Sequence, residues 1–179
     1  MEKVEVLRQY FGFSSFREGQ QTLIDAVLAG RDVLGVMPTG GGKSLCYELP
    51  ALLLPGLTLV ISPLISLMKD QVMALQNAGI PAGCIHSAMS VEELREAYRD
   101  TRFGAYKILY IAPERLLTDG FCALAQELEI SLLAVDEAHC ISQWGHDFRP
   151  SYLKILDFLQ KLPRRPALAA FTATATAQV

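Results

Sequence analysis

The sequence predicts a three-layer α/β fold in which a mostly parallel central sheet is flanked by helices. Short apolar segments alternate with helical stretches along the chain, which is typical of parallel strands joined by right-handed crossovers. Several of these segments, such as Leu132–Val135, are continuously apolar, as expected for strands covered on both faces. The 179 residues, 51% of them hydrophobic, suffice for one domain with a sizeable core.

Each element is predicted from its apolar pattern and from the glycine, proline or capping residue that bounds it. The predicted strands are Asp32–Met37, Leu57–Ser62, Gly83–His86, Ile108–Ala112, Leu132–Asp136 and Leu168–Thr172. A mixed helix begins near the N-terminus, and another runs from the glycine-rich segment to about Leu49. The other predicted helices are Arg17–Ala29, Leu64–Ala78, Val91 to about Arg99 after a Ser90–Glu93 capping box, and Ser151–Leu162.

Composition excludes several classes of protein. No apolar run approaches the ~20 residues of a membrane span, and the N-terminus lacks the apolar core of a signal peptide, so we expect a cytosolic chain. With a net charge of −3 the chain as a whole is not basic, so any contact with nucleic acid would have to be made by local basic or aromatic loops. The four cysteines form no CxxC pair, so we expect no zinc and reduced thiols in or near the core: Cys46, Cys84, Cys122 and Cys140.

A glycine-rich segment between a predicted strand and a predicted helix has the chemistry of a phosphate cradle. Its glycines let backbone N–H groups turn toward phosphate oxygens, and the helix N-terminus adds partial positive charge. Lys43 would reach the β- and γ-phosphates, and the Ser44 hydroxyl would ligate magnesium. Met37 stands where the strict motif has glycine; the alternative is a glycine-rich turn with a chance lysine. The remaining loop residues are Thr39, Gly40, Gly41 and Gly42.

Two carboxylates follow the apolar run Leu132–Val135. Because parallel strands end at one edge of a sheet, we expect Asp136 and Glu137 to face Lys43. Asp136 would hold magnesium, through water, and Glu137 would polarise the attacking water. His139 would couple the nucleotide site to a moving part. Alone, the segment could be an acidic strand end that caps a helix; with Lys43 it predicts use of ATP or GTP.

With these two motifs in order, residues from about Phe11 to Thr176 resemble the first RecA-like motor domain of RecQ-family DNA helicases, in helicase superfamily two. The segment Phe11–Gln20 is similar to the family's adenine-recognition motif. The resemblance implies that Phe13 stacks on the base, that Gln20 hydrogen-bonds the adenine edge, and that Arg17 contacts the nucleotide or orders the motif. ATP would then be preferred to GTP. For Phe11 and Phe16 we favour core packing.

Further segments resemble motifs that contact DNA in this family. The segment Ser62–Gln71 is similar to motif Ia, which implies single-stranded DNA contacts at Ser62 and Pro63. Its apolar members, Leu64, Leu67 and Met68, are expected in the core. The segment Tyr110–Leu116 resembles a second motif that contacts the DNA strand, which implies such a contact for Arg115. A structural ion pair of Arg115 is an equal alternative.

The segment Ile141–Pro150 resembles the aromatic-rich loop of RecQ proteins, which couples DNA binding to ATP hydrolysis. Trp144 and Phe148 would stack on bases, and His146 and Arg149 would contact phosphate or the nucleotide site. Core packing of the aromatics is the alternative. The segment Phe171–Ala175 resembles motif III, which implies that γ-phosphate state is relayed by two hydroxyls, those of Thr172 and Thr174.

The resemblance implies a 3′-to-5′ DNA helicase of repair and recombination that uses ATP and Mg²⁺ on single-stranded or partly duplex DNA. It would work in the bacterial cytoplasm, with the nucleoid, or in a eukaryotic nucleus. Residues 1–179 form the ATP-binding domain, and we expect the second RecA-like domain in cis, the zinc-binding domain and the winged helix to be absent from this chain. Weak binding of ATP and DNA with little turnover is then expected. The alternatives are a non-enzymatic nucleotide-binding fragment and an RNA helicase of the Asp-Glu-Ala-His type, against which the segment Trp144–Arg149 argues.

Overall fold

A computed structural model of the chain describes residues 2–38, 40, 42–141 and 150–173. Its strands are β1 (Val33–Val36), β2 (Leu57–Ile61), β3 (Ala82–Ile85), β4 (Ile108–Ile111), β5 (Ile130–Val135) and β6 (Ala167–Thr172). Its α-helices are α1 (Lys3–Phe11), α2 (Gln20–Leu28), α3 (Leu45–Leu53), α4 (Ile65–Asn77), α5 (Val91–Arg102), α6 (Asp119–Glu127) and α7 (Lys154–Lys161).

The six strands form one sheet in the order β1-β6-β5-β2-β4-β3, and every pairing is parallel. Successive residues of β5 point to opposite faces: Leu132 and Ala134 pack in one apolar cluster, and Leu133 and Val135 in another. The first cluster includes side chains of α2, α3 and α4, and the second includes side chains of α5, α6 and α7. The predicted three-layer fold is therefore confirmed.

The predicted strands are confirmed with small shifts at their ends, and the helices show four differences. α2 begins at Gln20, after Gly19 in a left-handed conformation, and not at Arg17. α3 continues through Pro50 to Leu53, although proline inside a helix lacks one N–H donor and crowds the carbonyl four residues earlier. The predicted helix Ser151–Leu162 is divided into a 3₁₀ turn, Pro150–Leu153, and α7. α6 was not predicted; it is a short helix with Gly120 in its first turn and no side-chain cap at Thr118.

Three observations bear on the excluded classes. Within residues 2–38, 40, 42–141 and 150–173, no helix has the length and apolarity to cross a bilayer. All four cysteines are free, with Cys46 and Cys140 buried and the other two half-buried, as expected. No cluster of three or more histidine, cysteine, aspartate or glutamate side chains suited to a metal occurs in the same described ranges.

Candidate active site

A cavity of about 450 Å³ opens where three distant segments of the chain meet. The glycine-rich loop follows β1, the carboxylates follow β5, and the third segment precedes α2. Side chains and backbone from all three segments line the cavity, among them Phe13, Arg17, Gln20, Gly40, Gly42, Lys43, Ser44, Asp136 and Glu137. The expected meeting of Lys43 with the two carboxylates is confirmed by this arrangement.

The glycine-rich loop turns sharply before α3. Gly40 and Gly42 both have φ of +77°, a left-handed conformation that glycine adopts without steric cost. A Cβ atom at Gly42 would lie 2.4 Å from Gln20 Nε2, so this position requires glycine for close approach as well as for its backbone angle. The loop is therefore shaped by its neighbour in space as much as by its own sequence.

That neighbour is the segment that leads into α2 and includes its first residue, Gln20. Gln20, only 3% exposed, accepts a hydrogen bond from Arg17 N at Oε1 (2.8 Å) and donates from Nε2 to Gly42 O (3.1 Å). Arg17 Nη1 donates to Gly40 O at 2.5 Å. These contacts use one N–H and one lone pair of the Gln20 amide, which has two of each. Gln20 and Arg17 therefore order the glycine-rich loop, through contacts that the sequence did not predict.

Aromatic side chains of the same segment divide as expected. Phe11 and Phe16 are half-buried and pack against the apolar cluster formed by α1, α2 and α3. Phe13 is 51% exposed and lines the cavity. An exposed ring at the mouth of a cavity is suited to stacking on a flat ligand.

The carboxylates sit on an unusual turn at the end of β5. Glu137 has φ of +52°, the one positive value outside glycine among the described residues, and its N–H donates to Asp136 Oδ1 at 2.9 Å. Burial and the Glu137 charge raise the pKa of Asp136, and Lys43 opposes the rise. Left-handed backbone at a non-glycine residue is a strain that functional sites often retain.

Four polar side chains form a continuous line across the site. Lys43 Nζ lies 3.3 Å from Glu137 Oε1, and Glu137 Oε2 lies 3.2 Å from His139 Nδ1. The same ring nitrogen lies 3.1 Å from Thr172 Oγ1, at the end of β6. Lys43, next to the glycine-rich loop, is thus connected through Glu137 and His139 to the last strand of the sheet.

The oxygen donors in the cavity fit magnesium. Ser44 offers a hydroxyl and Asp136 a carboxylate, and both line the same cavity. Mg²⁺ commonly takes one or two such protein ligands and completes its shell with water and substrate phosphates.

The segment after β2 differs from expectation. Ser62 is 3% exposed and its N–H donates to Ile111 O, so its side chain is covered by the fold; Pro63 is half-buried. Met68 is buried as expected, but the core prediction was wrong for Leu64 and Leu67, which are each 42% exposed. Leu64 immediately precedes α4 and Leu67 lies in its first turn, so both are beyond the end of β2. Leu67 also lines the cavity.

Arg115 lies in the 3₁₀ turn that follows β4 and is half-buried. It forms no ion pair with any residue that the structure describes, and its Nε is buried without a hydrogen-bond partner. The ion-pair alternative is therefore not realised within this part of the chain. A buried guanidinium nitrogen without a partner is costly, and Arg115 lies at the carboxyl edge of the sheet.

Seven predicted residues lie outside the described ranges, so their roles stay predictions: Thr39, Gly41, Trp144, His146, Phe148, Arg149 and Thr174. Conversely, sequence reasoning missed Glu48 and Tyr110, which are both buried beside the cavity and hydrogen-bonded to each other. The sequence could have indicated Glu48, because it is the one charged residue of an otherwise apolar helix and lies four residues after Ser44.

Comparison with known proteins gives a consistent result. The DEAD/DEAH box helicase family profile matches residues 17–179. The chain is 52% identical over 175 residues to the ATP-dependent DNA helicase RecQ of Bacillus subtilis, covering 97% of this chain and 30% of that protein. It is 49% identical over 172 residues to the RecQ helicase of Haemophilus influenzae, covering 96% of this chain and 28% of that protein.

A solved structure supports the fold. A hypothetical ATP-dependent RNA helicase from Sulfolobus tokodaii superposes with a TM-score of 0.77 at 23% identity, over 98% of this chain and 51% of that one. The chain spans about 30% of the length of the two RecQ relatives. The resemblance inferred from the motifs is confirmed by these similarities.

Proposed function

Because the chain belongs to the DEAD/DEAH box helicase family, we propose that it is the ATP-binding motor domain of a RecQ-type 3′-to-5′ DNA helicase. The observation that carries the proposal is the meeting of Lys43, Ser44, Asp136 and Glu137 in one cavity, with Phe13 at its mouth. The RecQ relatives are named ATP-dependent DNA helicases, and their similarity extends over nearly all of this chain.

In this proposal the triphosphate lies along the glycine-rich loop. Lys43 exchanges its contact with Glu137 for the β- and γ-phosphates, and the N-terminus of α3 adds partial positive charge. Ser44 and Asp136 hold magnesium, which when bound neutralises charge on the phosphate oxygens. The adenine stacks on Phe13, and Gln20 reads its edge with the N–H and lone pair that the loop contacts leave over.

Glu137 then orients the attacking water and accepts its proton. His139 keeps this carboxylate in place from the other side, at 3.2 Å. Because His139 also contacts Thr172, loss of the γ-phosphate would change the hydrogen bonds at the end of β6. Thr174, immediately downstream, would extend the relay.

Nucleic acid would lie across the carboxyl edge of the sheet. Arg115 and the segment beginning at Ser62 and Pro63 lie at neighbouring strand ends, since β2 pairs with β4. Backbone phosphates would pair with Arg115, and the segment Trp144–Arg149 would stack on bases. Such a motor would act with the bacterial nucleoid or in a eukaryotic nucleus.

Turnover would need a second RecA-like domain in cis that closes over the cavity with arginines. An arginine placed on the transferring phosphate is worth about 10³–10⁵ in rate. For these 179 residues alone we expect weak binding of ATP and DNA, slow hydrolysis and no unwinding. Robust hydrolysis stimulated by single-stranded DNA in a steady-state assay of the monomeric chain would contradict this.

The proposal is tested by titrating a fluorescent ATP analogue in Mg²⁺. Lys43→Ala should weaken binding about tenfold or more, because a charge-assisted phosphate contact is lost. Lys161→Ala, the same change in an exposed side chain of α7, is the matched control and should bind as the parent chain does. Equal affinities for the parent and Lys43→Ala would refute the nucleotide site. Titrating single-stranded DNA and RNA oligonucleotides of one sequence, with the fluorescence of Trp144, the one tryptophan of the chain, as reporter, then separates the DNA helicase from an RNA helicase.

A further inference from the structure

The buried amide of Gln20 does more in this structure than the proposed reading of adenine requires. Gln20 is 3% exposed, and its amide has two N–H donors and two lone pairs. Adenine would meet one N–H and one lone pair. The other N–H and lone pair are engaged inside the protein, at Gly42 O and Arg17 N. The contact with Gly42 O has a consequence for the phosphates.

The carbonyl oxygens of two loop glycines are held by side chains. Gln20 Nε2 donates to Gly42 O at 3.1 Å, and Cys46 Sγ, in the first turn of α3, lies 3.8 Å from the same oxygen. Arg17 Nη1 donates to Gly40 O at 2.5 Å. Both Gln20 and Arg17 belong to the segment that leads into α2, so this segment fixes the orientation of peptide groups in the loop.

A held carbonyl group also fixes the N–H group in the same peptide plane. In a trans peptide the C=O of one residue and the N–H of the next point in opposite directions, and the described chain has no cis peptide. Since Gly42 O is turned toward Gln20, the Lys43 N–H points away from it. Within the described ranges, the backbone N–H groups of Lys43 and Ser44 have no acceptor, and both residues line the cavity. Such N–H groups at the start of a helix are suited to phosphate oxygens.

We propose that Gln20 is a positioning residue for the phosphates as well as a contact for the base, because it holds Gly42 O and thereby aims the Lys43 N–H at the triphosphate. This rests on the proposed function, since it assumes that the glycine-rich loop holds a triphosphate. Donors that are oriented before binding lose less conformational freedom when the ligand arrives. A ligand that has phosphates and no base should therefore also depend on Gln20. Adenine bound to the same amide would restrain it further, which couples recognition of the base to affinity for the phosphates.

The test uses inorganic tripolyphosphate, which has the three phosphates of ATP and no base. Its affinity is measured in Mg²⁺ by competition with a fluorescent ATP analogue, whose own affinity is determined for each variant. Gln20→Met removes the amide at similar volume. We expect tripolyphosphate to bind to it about five- to tenfold more weakly, the worth of one hydrogen bond. Thermal unfolding without ligand shows whether the variant is folded.

Three further variants separate positioning from other roles. Gln20→Asn keeps the amide but withdraws it from Gly42 O by one methylene. It should weaken tripolyphosphate binding as Gln20→Met does, and it decides the matter should Gln20→Met not fold. Phe13→Ala removes the proposed stacking surface for the base, so it should weaken ATP binding and leave tripolyphosphate affinity within about twofold of the parent chain. Gln160→Met, the same change at an exposed glutamine of α7, is the matched control.

A second measurement follows the Lys43 N–H directly by NMR. In a chain labelled with ¹⁵N-lysine, the Lys43 amide signal is identified by its absence from Lys43→Ala. Saturating tripolyphosphate should move this proton downfield in the parent chain, because the N–H then donates to a charged oxygen. In Gln20→Met the proton should move less far. A variant that had lost only stability would show the parent shift once ligand is bound.

The outcomes are distinct from those for the proposed function. Unchanged binding of the ATP analogue by Lys43→Ala refutes the nucleotide site, and the positioning role with it. If Lys43→Ala weakens binding, parent-like tripolyphosphate affinity in Gln20→Met or Gln20→Asn overturns the positioning role and leaves Gln20 a contact for the base alone. An equal loss of tripolyphosphate affinity in Phe13→Ala also overturns it. Weaker tripolyphosphate binding in both Gln20 variants, with parent-like binding in Phe13→Ala, supports the proposal.

Discussion

Lys43 and Glu137, 94 positions apart in the chain, meet at 3.3 Å across the cavity. Their side chains are 15% and 27% exposed, so this pair is partly shielded from water. In the absence of nucleotide each charge thus serves as the partner of the other. In the proposed function a bound γ-phosphate would compete with Glu137 for Lys43, which would couple binding of the substrate to release of this carboxylate.

The first prediction concerns that exchange. Glu137→Gln should bind ATP as tightly as the parent chain, or up to about fivefold more tightly, since less charge opposes the phosphates. Hydrolysis measured in a single turnover, with protein in excess over labelled ATP, should fall at least ~100-fold, because the general base is lost. Glu92→Gln, on exposed α5, is the control. Hydrolysis by Glu137→Gln at the parent rate would exclude the assigned role.

The fold and the positions of the motifs follow from the sequence because continuous apolar runs such as Leu132–Val135 fit few environments other than a doubly covered strand. The end of such a strand then places Asp136 at the sheet edge. Side-chain partners are harder to predict. Gln20 packs on Gly42, 22 positions away, and nothing local in either segment specifies that contact.

The exposure of side chains at the edge of the sheet also could not be predicted from the apolar pattern of the sequence. Leu64, Leu67 and Met68 have the spacing of one helix face, yet only Met68 lies over the sheet. The other two lie past the end of β2, where no strand covers them, and Leu67 lines the cavity instead. Periodicity reports which residues share a face and not how far the neighbouring layer extends.

The second prediction separates loop strain from loop packing. Gly42→Ala should lower stability by about 1–2 kcal/mol, the cost of a left-handed backbone for alanine, and should also weaken nucleotide binding, because its Cβ would displace Gln20. Gly79→Ala is a matched control with the same φ of +77° and no atom within 4 Å of its Cβ. Thermal unfolding and nucleotide titration are measured for both. Equal nucleotide affinity in the two variants would show that the contact with Gln20 is unimportant.

The third prediction concerns the relay from Glu137 to β6. Thr172→Val removes the hydroxyl that lies 3.1 Å from His139 and keeps the shape of this buried side chain. We expect a loss of about 1 kcal/mol in stability and a several-fold smaller ratio of ATP to ADP affinity, measured by competition titration. Thr101→Val removes a buried hydroxyl that donates to Ala97 O within α5. This control should lose stability while the ATP to ADP ratio is unchanged; an unchanged ratio in Thr172→Val would contradict the relay.

The fourth prediction concerns the pH dependence of stability in EDTA, without nucleotide. Burial raises the pKa of Glu48 to about 7, whereas an unfolded glutamate titrates near ~4.3. The folded chain therefore binds more protons than the unfolded chain between these values, and the contribution of Glu48 to stability is present below pH ~4.3 and is lost as the pH rises to about 7. Glu48→Gln does not titrate, so subtracting its urea unfolding free energy from that of the parent chain removes the other groups. The difference should fall by on the order of 3 kcal/mol from pH 4.5 to 8 and stay level above that. Parallel curves for the two proteins would mean that Glu48 titrates normally, and that its carboxylate is better solvated than its buried position between Ser44 and Tyr110 implies.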